Sequence, residues 1–129
     1  MAARPAPSGP PRSAQALVLG TVQFGLAYGV SNTAGQVTLD DAQRIVDRAV
    51  AAGVERLDTA AAYGEAEVVT KKVIETHPGV SIITKSPRVL NDDVDAALAV
   101  ARASLERFGP ERMDAILLHS AWDLMTPHG

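Results

Sequence analysis

The sequence of 129 residues contains no cysteine, which excludes disulfide bonds, thiolate catalysis and cysteine-ligated metal sites. This absence is compatible with a reducing compartment, and we expect a cytoplasmic protein that holds no metal. No apolar run approaches the length of a membrane span. Acidic and basic residues are interspersed, with a formal net charge of −3, so neither nucleic acid nor a membrane is an expected partner.

The first fourteen residues lack the apolar stretch that a secretory signal peptide requires. They contain four prolines together with alanine, arginine and serine, a composition that cannot form a packed core. We therefore expect residues 1–14 to be a disordered N-terminal tail, with a short transit peptide as the alternative. Hydrophobic residues make up 47% of the sequence, which is typical of a globular protein, so residues 15–129 are expected to form one domain.

From residue 15 onward, short apolar runs alternate with segments of helical periodicity. The predicted strands are Gln15–Gly20, Val54–Asp58, Val80–Lys85 and Met113–His119. The predicted helices begin at Thr38, near Glu65 and at Asn91 or Asp92, and they end at Gly53, near Thr76 and at Gly109. A glycine-rich loop is predicted between the first strand and the first helix.

The first and third helices carry further signals. Thr38 and Asp41 resemble a capping box, which predicts the start of the first helix. The third helix has an apolar line that predicts its buried face, made of Val94, Ala97, Leu98, Ala101, Leu105 and Phe108.

Strands that alternate with helices predict right-handed crossovers and a parallel sheet, so the fold class is α/β. On the pattern alone, both a doubly wound open sheet and part of a (β/α)₈ barrel remain open. The sequence lacks a Gly-x-Gly-x-x-Gly motif after the first strand, and Gly25 is not followed by the Lys-Ser/Thr of a phosphate-binding loop. These absences make a dinucleotide-binding open sheet the less favoured architecture.

Four polar side chains lie at the C-terminal ends of the predicted strands or just beyond them. They are Asp58, Tyr63, Lys85 and His119. Each has an ordinary structural explanation by itself: a turn cap, a half-buried aromatic, a solvated lysine and a hydrogen-bonded histidine. Because active sites of α/β folds form at this edge of the sheet, the four together favour a functional site.

These four groups can transfer a proton to an oxygen atom. A phenol has a pKa of about 10 and is a weak acid at neutral pH, whereas a neighbouring ammonium stabilises the phenolate. A carboxylate beside the ammonium keeps the ammonium charged, and an imidazole can donate a hydrogen bond to a carbonyl oxygen. The set therefore favours general acid catalysis while a hydride reaches a carbonyl carbon.

The sequence resembles the aldo-keto reductases in four stretches that fall in the family's order. They are Leu19-Gly20-Thr21-Val22-Gln23-Phe24-Gly25, then Leu57-Asp58-Thr59-Ala60 with Tyr63-Gly64 and Glu67, then Thr84-Lys85, and finally Leu117-Leu118-His119. The Asp-Thr-Ala and Tyr-Gly element is the most specific, and the opening stretch is similar to a bacterial branch of uncharacterised reductases. The resemblance covers roughly residues 16–124 and implies a partial TIM barrel, with the first four strands and three helices of a (β/α)₈ fold.

The resemblance implies a catalytic tetrad. Tyr63 would be the proton donor, with Lys85 and Asp58 as the pair that tunes it. His119 would orient the substrate. The implied substrate is a small molecule with a carbonyl group: an aldehyde, a ketone or a sugar.

The resemblance also implies a nicotinamide cofactor, NADPH (NADP), with Gly20, Thr21 and Asp58 as the cofactor-binding residues. One helix departs from the family. Where relatives usually have Ser-Glu and then Leu-Gly, this sequence has Ala66, Glu67, Thr70 and Lys71.

A (β/α)₈ barrel needs about 250 residues, and its phosphate site usually forms after strands seven and eight. This sequence contains four predicted strands, so the leading hypothesis is a truncated NADP-dependent oxidoreductase. The alternatives are a non-catalytic fragment or half-barrel pairing module, and a lyase that forms a Schiff base through Lys85. Unpaired edges at the first and fourth strands predict self-association.

Overall fold

A computed structural model describes residues 16–89 and 93–125 of the protein. The predicted tail, residue Gln15 of the first predicted strand and the two predicted helix caps Asn91 and Asp92 lie outside the described residues. Within the described ranges, no helix is long and apolar enough to cross a membrane.

Strands and helices alternate along the described chain, as the sequence predicts. The strands are β1 (Val18–Gly20), β2 (Arg56–Asp58), β3 (Ser81–Lys85) and β4 (Met113–Leu117). The helices are α1 (Val22–Gly25), α2 (Leu39–Ala51), α3 (Ala66–Val73) and α4 (Val94–Phe108). Two 3-10 turns follow α3 and β4, at Ile74–Thr76 and Ala121–Leu124. The one-turn helix α1 lies where the sequence predicts a glycine-rich loop.

The four strands are parallel, and each pairs with its neighbour in sequence, in the order β1-β2-β3-β4. A doubly wound sheet reverses its strand order at a switch point, whereas a barrel adds its strands consecutively. The described sheet therefore has the strand order of half a (β/α)₈ barrel. Gly20 is in register with Asp58, and Lys85 with Leu117, so the C-terminal ends of the strands share one edge.

The hydrophobic core lies between the outer face of the sheet and the helices. Leu57 of β2 and Ile82 of β3 are fully buried there, packed with helix side chains that include Val46, Val73 and Phe108. Burial of each large apolar side chain contributes about 1.5–3 kcal/mol, so the core fixes which way each strand faces. Because side chains alternate along a strand, the residues that follow Leu57 and precede Ile82 point to the opposite, inner face.

The predicted start of the first long helix is confirmed, and that of the last is wrong by one or two residues. The Thr38 hydroxyl oxygen accepts a hydrogen bond from the Asp41 N–H at 3.2 Å and donates one to the Asp41 carboxylate at 2.8 Å. In α4 the cap is Asp93, whose carboxylate accepts from the Ala96 N–H at 2.9 Å. Asn and Asp are equally favourable as helix caps, and residues 91–93 are Asn, Asp and Asp, so the residue types alone do not indicate which of them is the cap.

The predicted apolar line of α4 is buried only in part. Ala97 and Phe108 are buried, whereas Val94 and Leu98 are 42% and 46% exposed. A polar residue, Ser104, is buried alongside the first pair. The helix packs against α3, β3 and β4, so the flank in contact with these three elements is the buried one.

The short helix α1 fixes the path of the loop after β2. A Cβ on Gly25 would overlap the Tyr63 carbonyl oxygen and the Ala66 amide nitrogen, so no larger residue fits there without movement. Gly64, inside the same loop, has a φ of +58°, which glycine adopts at little cost. Two glycines therefore let α1 and the loop around Tyr63 approach each other closely.

Candidate active site

An ion pair joins the C-terminal ends of β2 and β3 on the inner face of the sheet. The Lys85 ammonium donates a hydrogen bond to the Asp58 carboxylate at 2.6 Å and another to the Thr59 carbonyl oxygen at 3.0 Å. The Lys85 and Asp58 side chains are 18% and 32% exposed, so this pair is half-buried. The carboxylate and the carbonyl fix the position of the ammonium.

The aromatic ring of Tyr63 lies beside this ammonium. The Lys85 nitrogen is 5.1 Å from the centre of the Tyr63 ring, within the range of a cation–π contact. The Tyr63 backbone is anchored on both sides: its N–H donates to the Ala60 carbonyl, and its own carbonyl accepts from the Ala66 N–H, each at 3.0 Å. The loop thus places the phenol against the end of β3.

The ring of His119 lies next to that of Tyr63. The two ring centres are 5.9 Å apart and the rings are nearly perpendicular, at 79°. The Nδ1 atom of His119 is buried and has no hydrogen-bond partner among the described residues. Buried polar atoms are usually paired, so this nitrogen beside the Tyr63 ring is a candidate for contact with a ligand. Just beyond it, in the turn after β4, Trp122 is 67% exposed.

The two predicted cofactor residues of β1 have different surroundings. Gly20 lies on the edge of the site, and a Cβ placed there would meet no atom within 4 Å. Thr21 is fully buried, and both its N–H and its hydroxyl donate to the Asp58 carbonyl oxygen, at 2.9 and 3.0 Å. Gly20 therefore leaves open space at this edge of the sheet, whereas Thr21 holds β1 to β2.

All four residues of the predicted tetrad therefore meet at one edge of the sheet. His119 lies two residues beyond the end of β4, which stops at Leu117 rather than at His119 as predicted. The second partner of Lys85, the Thr59 carbonyl, was missed because a main-chain oxygen leaves no signal in the residue type. Near the site, the hydroxyl oxygens of Thr59 and Ser86 are also buried without a partner among the described residues.

A second polar cluster lies on the inner face at the opposite ends of the strands. The Asp114 carboxylate of β4 accepts hydrogen bonds from Arg56 of β2 and Ser81 of β3, both at 2.8 Å. These bonds hold the pKa of Asp114 below its usual value, and the bond from Arg56 has the larger effect. No group of three metal-ligating side chains occurs in the part of the chain that the structure describes.

One cavity of the described chain lies away from the tetrad. It has a volume of about 770 Å³ and lies between α2 and the loop after α1, with Leu19, Val37 and Ile45 among its lining residues. None of the four tetrad residues lines this cavity. The tetrad lies instead on an open inner face, which a complete barrel would enclose with four more strands.

Comparisons with known proteins agree on one family. The sequence profile of the aldo/keto reductase family matches residues 16–127. An aldo-keto reductase of Mycobacterium sp. strain KMS is 34% identical over 86 residues, which are 65% of this chain and 31% of that protein. An aldo-keto reductase of Mycolicibacterium smegmatis is 33% identical over 87 residues, 66% of this chain and 31% of that protein.

Solved structures agree on the fold. A structure from Pseudomonas aeruginosa described as an aldo-keto reductase superposes with a TM-score of 0.69 at 24% identity, covering 85% of this chain and 46% of that one. A second structure with the same description gives a TM-score of 0.67 and covers 44% of its chain. At this identity the likeness establishes a shared fold, and the partial barrel is confirmed. The chain spans less than half the length of the relatives it matches.

Proposed function

Because this chain belongs to the aldo/keto reductase family, we propose that its strand-end side chains perform the proton-transfer half of a nicotinamide-dependent carbonyl reduction. One observation carries the proposal: the Lys85 ammonium, held by Asp58 at 2.6 Å, lies against the ring of Tyr63. A cation in this position favours the phenolate that remains after a phenol has given up its proton.

Each side chain then has a role that follows from its place. Tyr63 donates a proton to the carbonyl oxygen of the substrate, and the Lys85 ammonium stabilises the negative charge that develops on the phenol oxygen. Asp58 orients the ammonium. The ring of His119, which stands against Tyr63 with a buried free nitrogen, orients the same carbonyl oxygen.

The proposed cofactor is NADPH, bound with its nicotinamide beside Gly20 and Asp58. When bound, the cofactor supplies the hydride that the carbonyl carbon receives. Strands seven and eight, which usually form the phosphate site of a barrel, are not in this sequence, so the complete reaction is proposed for a completed barrel. The proposed substrates are aldehydes, ketones or sugars, and the proposed location is the cytoplasm.

The experiment that tests the proposal completes the barrel with the C-terminal half of the Pseudomonas aeruginosa relative and follows NADPH consumption with a panel of aldehydes. We expect reduction that the substitution Tyr63→Phe lowers by about 10²–10⁴-fold in kcat, the usual range for loss of general acid help. Tyr28→Phe is the matched control, because Tyr28 is 59% exposed and lies outside the site. An unchanged kcat in Tyr63→Phe would refute the proton donor.

A Schiff-base lyase is the weaker alternative. A Schiff base forms when a free amine attacks a carbonyl carbon, whereas the Lys85 nitrogen is already held by the Asp58 carboxylate and the Thr59 carbonyl oxygen. Borohydride trapping of a carbonyl compound on Lys85 would favour the lyase over the reductase.

A pairing role for the isolated polypeptide has its own observation in favour. Apolar side chains are exposed beside both outer strands of the sheet: Leu17 and Val18 at β1, and Ile116, Leu117 and Leu118 at β4. Unpaired strand edges with such side chains associate readily. We therefore propose that the 129-residue chain self-associates in solution, which size-exclusion chromatography with light scattering measures. A compact monomer that melts cooperatively would contradict this expectation.

A further inference from the structure

A buried carboxylate lies directly behind the tetrad, on the helix side of the sheet. Glu67, in the first turn of α3, is 4% exposed. One of its carboxylate oxygens accepts a hydrogen bond from the Thr84 hydroxyl at 2.6 Å, and the other accepts from the Ser104 hydroxyl at 2.9 Å and pairs with the Arg107 guanidinium. An acid in this position is costly to bury unless donors surround it, and here three donors do.

Glu67 itself lies on α3, which follows the tyrosine loop, and its partners lie on β3, which carries Lys85, and on α4. Glu67 follows Tyr63 by four residues, in the helix that begins where the tyrosine loop ends. Thr84 immediately precedes Lys85 on β3, with its side chain turned to the helices while Lys85 faces the inner side. The Glu67–Thr84 hydrogen bond therefore links α3, which follows the Tyr63 loop, to β3, which carries Lys85.

The third element, α4, gives this link a fixed support. Ser104 is buried and Arg107 is half-buried, so their two contacts hold the carboxylate from the side opposite β3. A small cavity of about 150 Å³ lies against these residues between α3 and α4, and it leaves the Arg107 side chain partly open to solvent. The carboxylate is thus clamped by α4 and β3.

We infer that Glu67 is a positioning residue, which sets the separation of Tyr63 and Lys85 through the first turn of α3 and the Thr84 hydroxyl. The effect of this positioning on catalysis rests on the proposed function. The structural effect can be measured without an activity assay. When the Glu67–Thr84 hydrogen bond is removed, the Tyr63 ring and the Lys85 ammonium move relative to each other while the fold persists.

The test uses the 129-residue chain and nuclear Overhauser effects between the Tyr63 ring and the side chains of Lys85 and His119. The sequence contains two tyrosines, so a Tyr28→Phe background leaves Tyr63 as the single tyrosine signal. Thr84→Val removes the hydroxyl at nearly constant volume, and Thr84→Ser is the matched control that keeps it. Circular dichroism and thermal melting establish that each variant is folded.

We expect Thr84→Val to lose at least half of the Tyr63–Lys85 cross-peak intensity and Thr84→Ser to retain it. Glu67→Ala, which removes the acceptor of the Thr84 hydroxyl, should lose intensity in the same way; Thr84→Val carries the test if that variant unfolds, because Ser104 and Arg107 still satisfy the Glu67 carboxylate. Unchanged intensities in folded Thr84→Val would overturn the inference, and so would equal losses in Thr84→Val and Thr84→Ser.

A second readout separates this inference from the proposed function. In the completed barrel, Thr84→Val should lower kcat on the order of ten- to a hundredfold, since small displacements of reacting groups have effects of that size, while KM stays within about twofold. If Tyr63→Phe leaves reduction intact but Thr84→Val still changes the cross-peaks, the proposed function fails and the positioning stands. If Thr84→Val changes neither kcat nor the cross-peaks, the positioning fails alone.

Discussion

The two ends of the sheet's inner face each carry an ion pair, and the two pairs differ in the groups that surround them. At the N-terminal ends of the strands, Asp114 accepts hydrogen bonds from Arg56 and Ser81, which join three strands. At the C-terminal ends, the Lys85–Asp58 pair stands against an aromatic ring, and a buried histidine nitrogen nearby has no partner among the described residues. In this sheet, the ion pair at the proposed reaction site therefore stands near a buried polar atom that no described residue satisfies, whereas the exposed Arg56–Asp114 pair helps to link three strands.

The largest expected effect is a loss of activity after a substitution at the C-terminal end of the strands. Lys85→Met removes the cation from beside Tyr63 and leaves the Asp58 carboxylate without its partner. We expect kcat of the completed barrel to fall by about 10²–10⁴-fold, measured by NADPH consumption. Lys72→Met, on the exposed side of α3, is the matched control and should keep full activity. Equal activity of both variants would remove the distinction between the two ends.

The next largest effect is a loss of stability after a substitution that disturbs the loop around Tyr63. Gly25→Ala places a Cβ onto the Tyr63 carbonyl oxygen and the Ala66 nitrogen, so the loop or α1 must shift. We expect the free energy of unfolding to fall by about 1–3 kcal/mol, measured by urea denaturation. Gly20→Ala serves as the control, because a Cβ there meets nothing within 4 Å and should leave stability nearly unchanged. Similar losses in the two variants would contradict the close approach of α1 to the loop.

A smaller effect is expected at the N-terminal end. Asp114→Asn removes the charge from a pair whose side chains are 46% and 40% exposed, so water already screens much of their attraction. The free energy of unfolding should fall by no more than about 1 kcal/mol, and kcat of the completed barrel should not change. A loss of activity comparable to that of Lys85→Met would show that both ends serve the reaction.

The smallest effect concerns acid stability. Hydrogen bonds from Arg56 and Ser81 lower the pKa of Asp114 in the folded state, so its contribution is present above the unfolded value of about 3.9 and is lost as the pH falls through the folded value. The chain should therefore lose stability below about pH 4, measured by thermal melts across the pH range. Thr38 and Gln43 lower the pKa of Asp41 and Asp47 in the same direction, so Asp114→Asn should reduce this loss without abolishing it.

Periodicity and end signals in the sequence predict the order of the elements and the edge at which the site forms. Helix α2 follows the predicted cap at Thr38, and Lys85 ends β3 where the sequence predicts that this strand ends. These features are local, because they depend on residues within one element. The four tetrad positions could be found for the same reason: each lies at or just after the end of a strand.

What the sequence could not supply depends on contacts between distant segments. The buried flank of α4 is decided by its packing on α3, β3 and β4, so the apolar line misassigned Val94 and Leu98. Ser104 can be buried at little cost because Glu67, 37 residues away, accepts a hydrogen bond from its hydroxyl. Nor does a residue type indicate that the Thr21 hydroxyl binds a main-chain carbonyl of the next strand.

The turn after β4 gives the site an optical label of its own. The sequence contains one tryptophan, Trp122, which stands three residues beyond His119 and is largely exposed. Its fluorescence therefore comes from one place, at the edge where a nicotinamide is proposed to lie. Energy transfer from this indole to a reduced nicotinamide would report the arrival of a cofactor in the unmodified chain, without turnover and before any substrate is known.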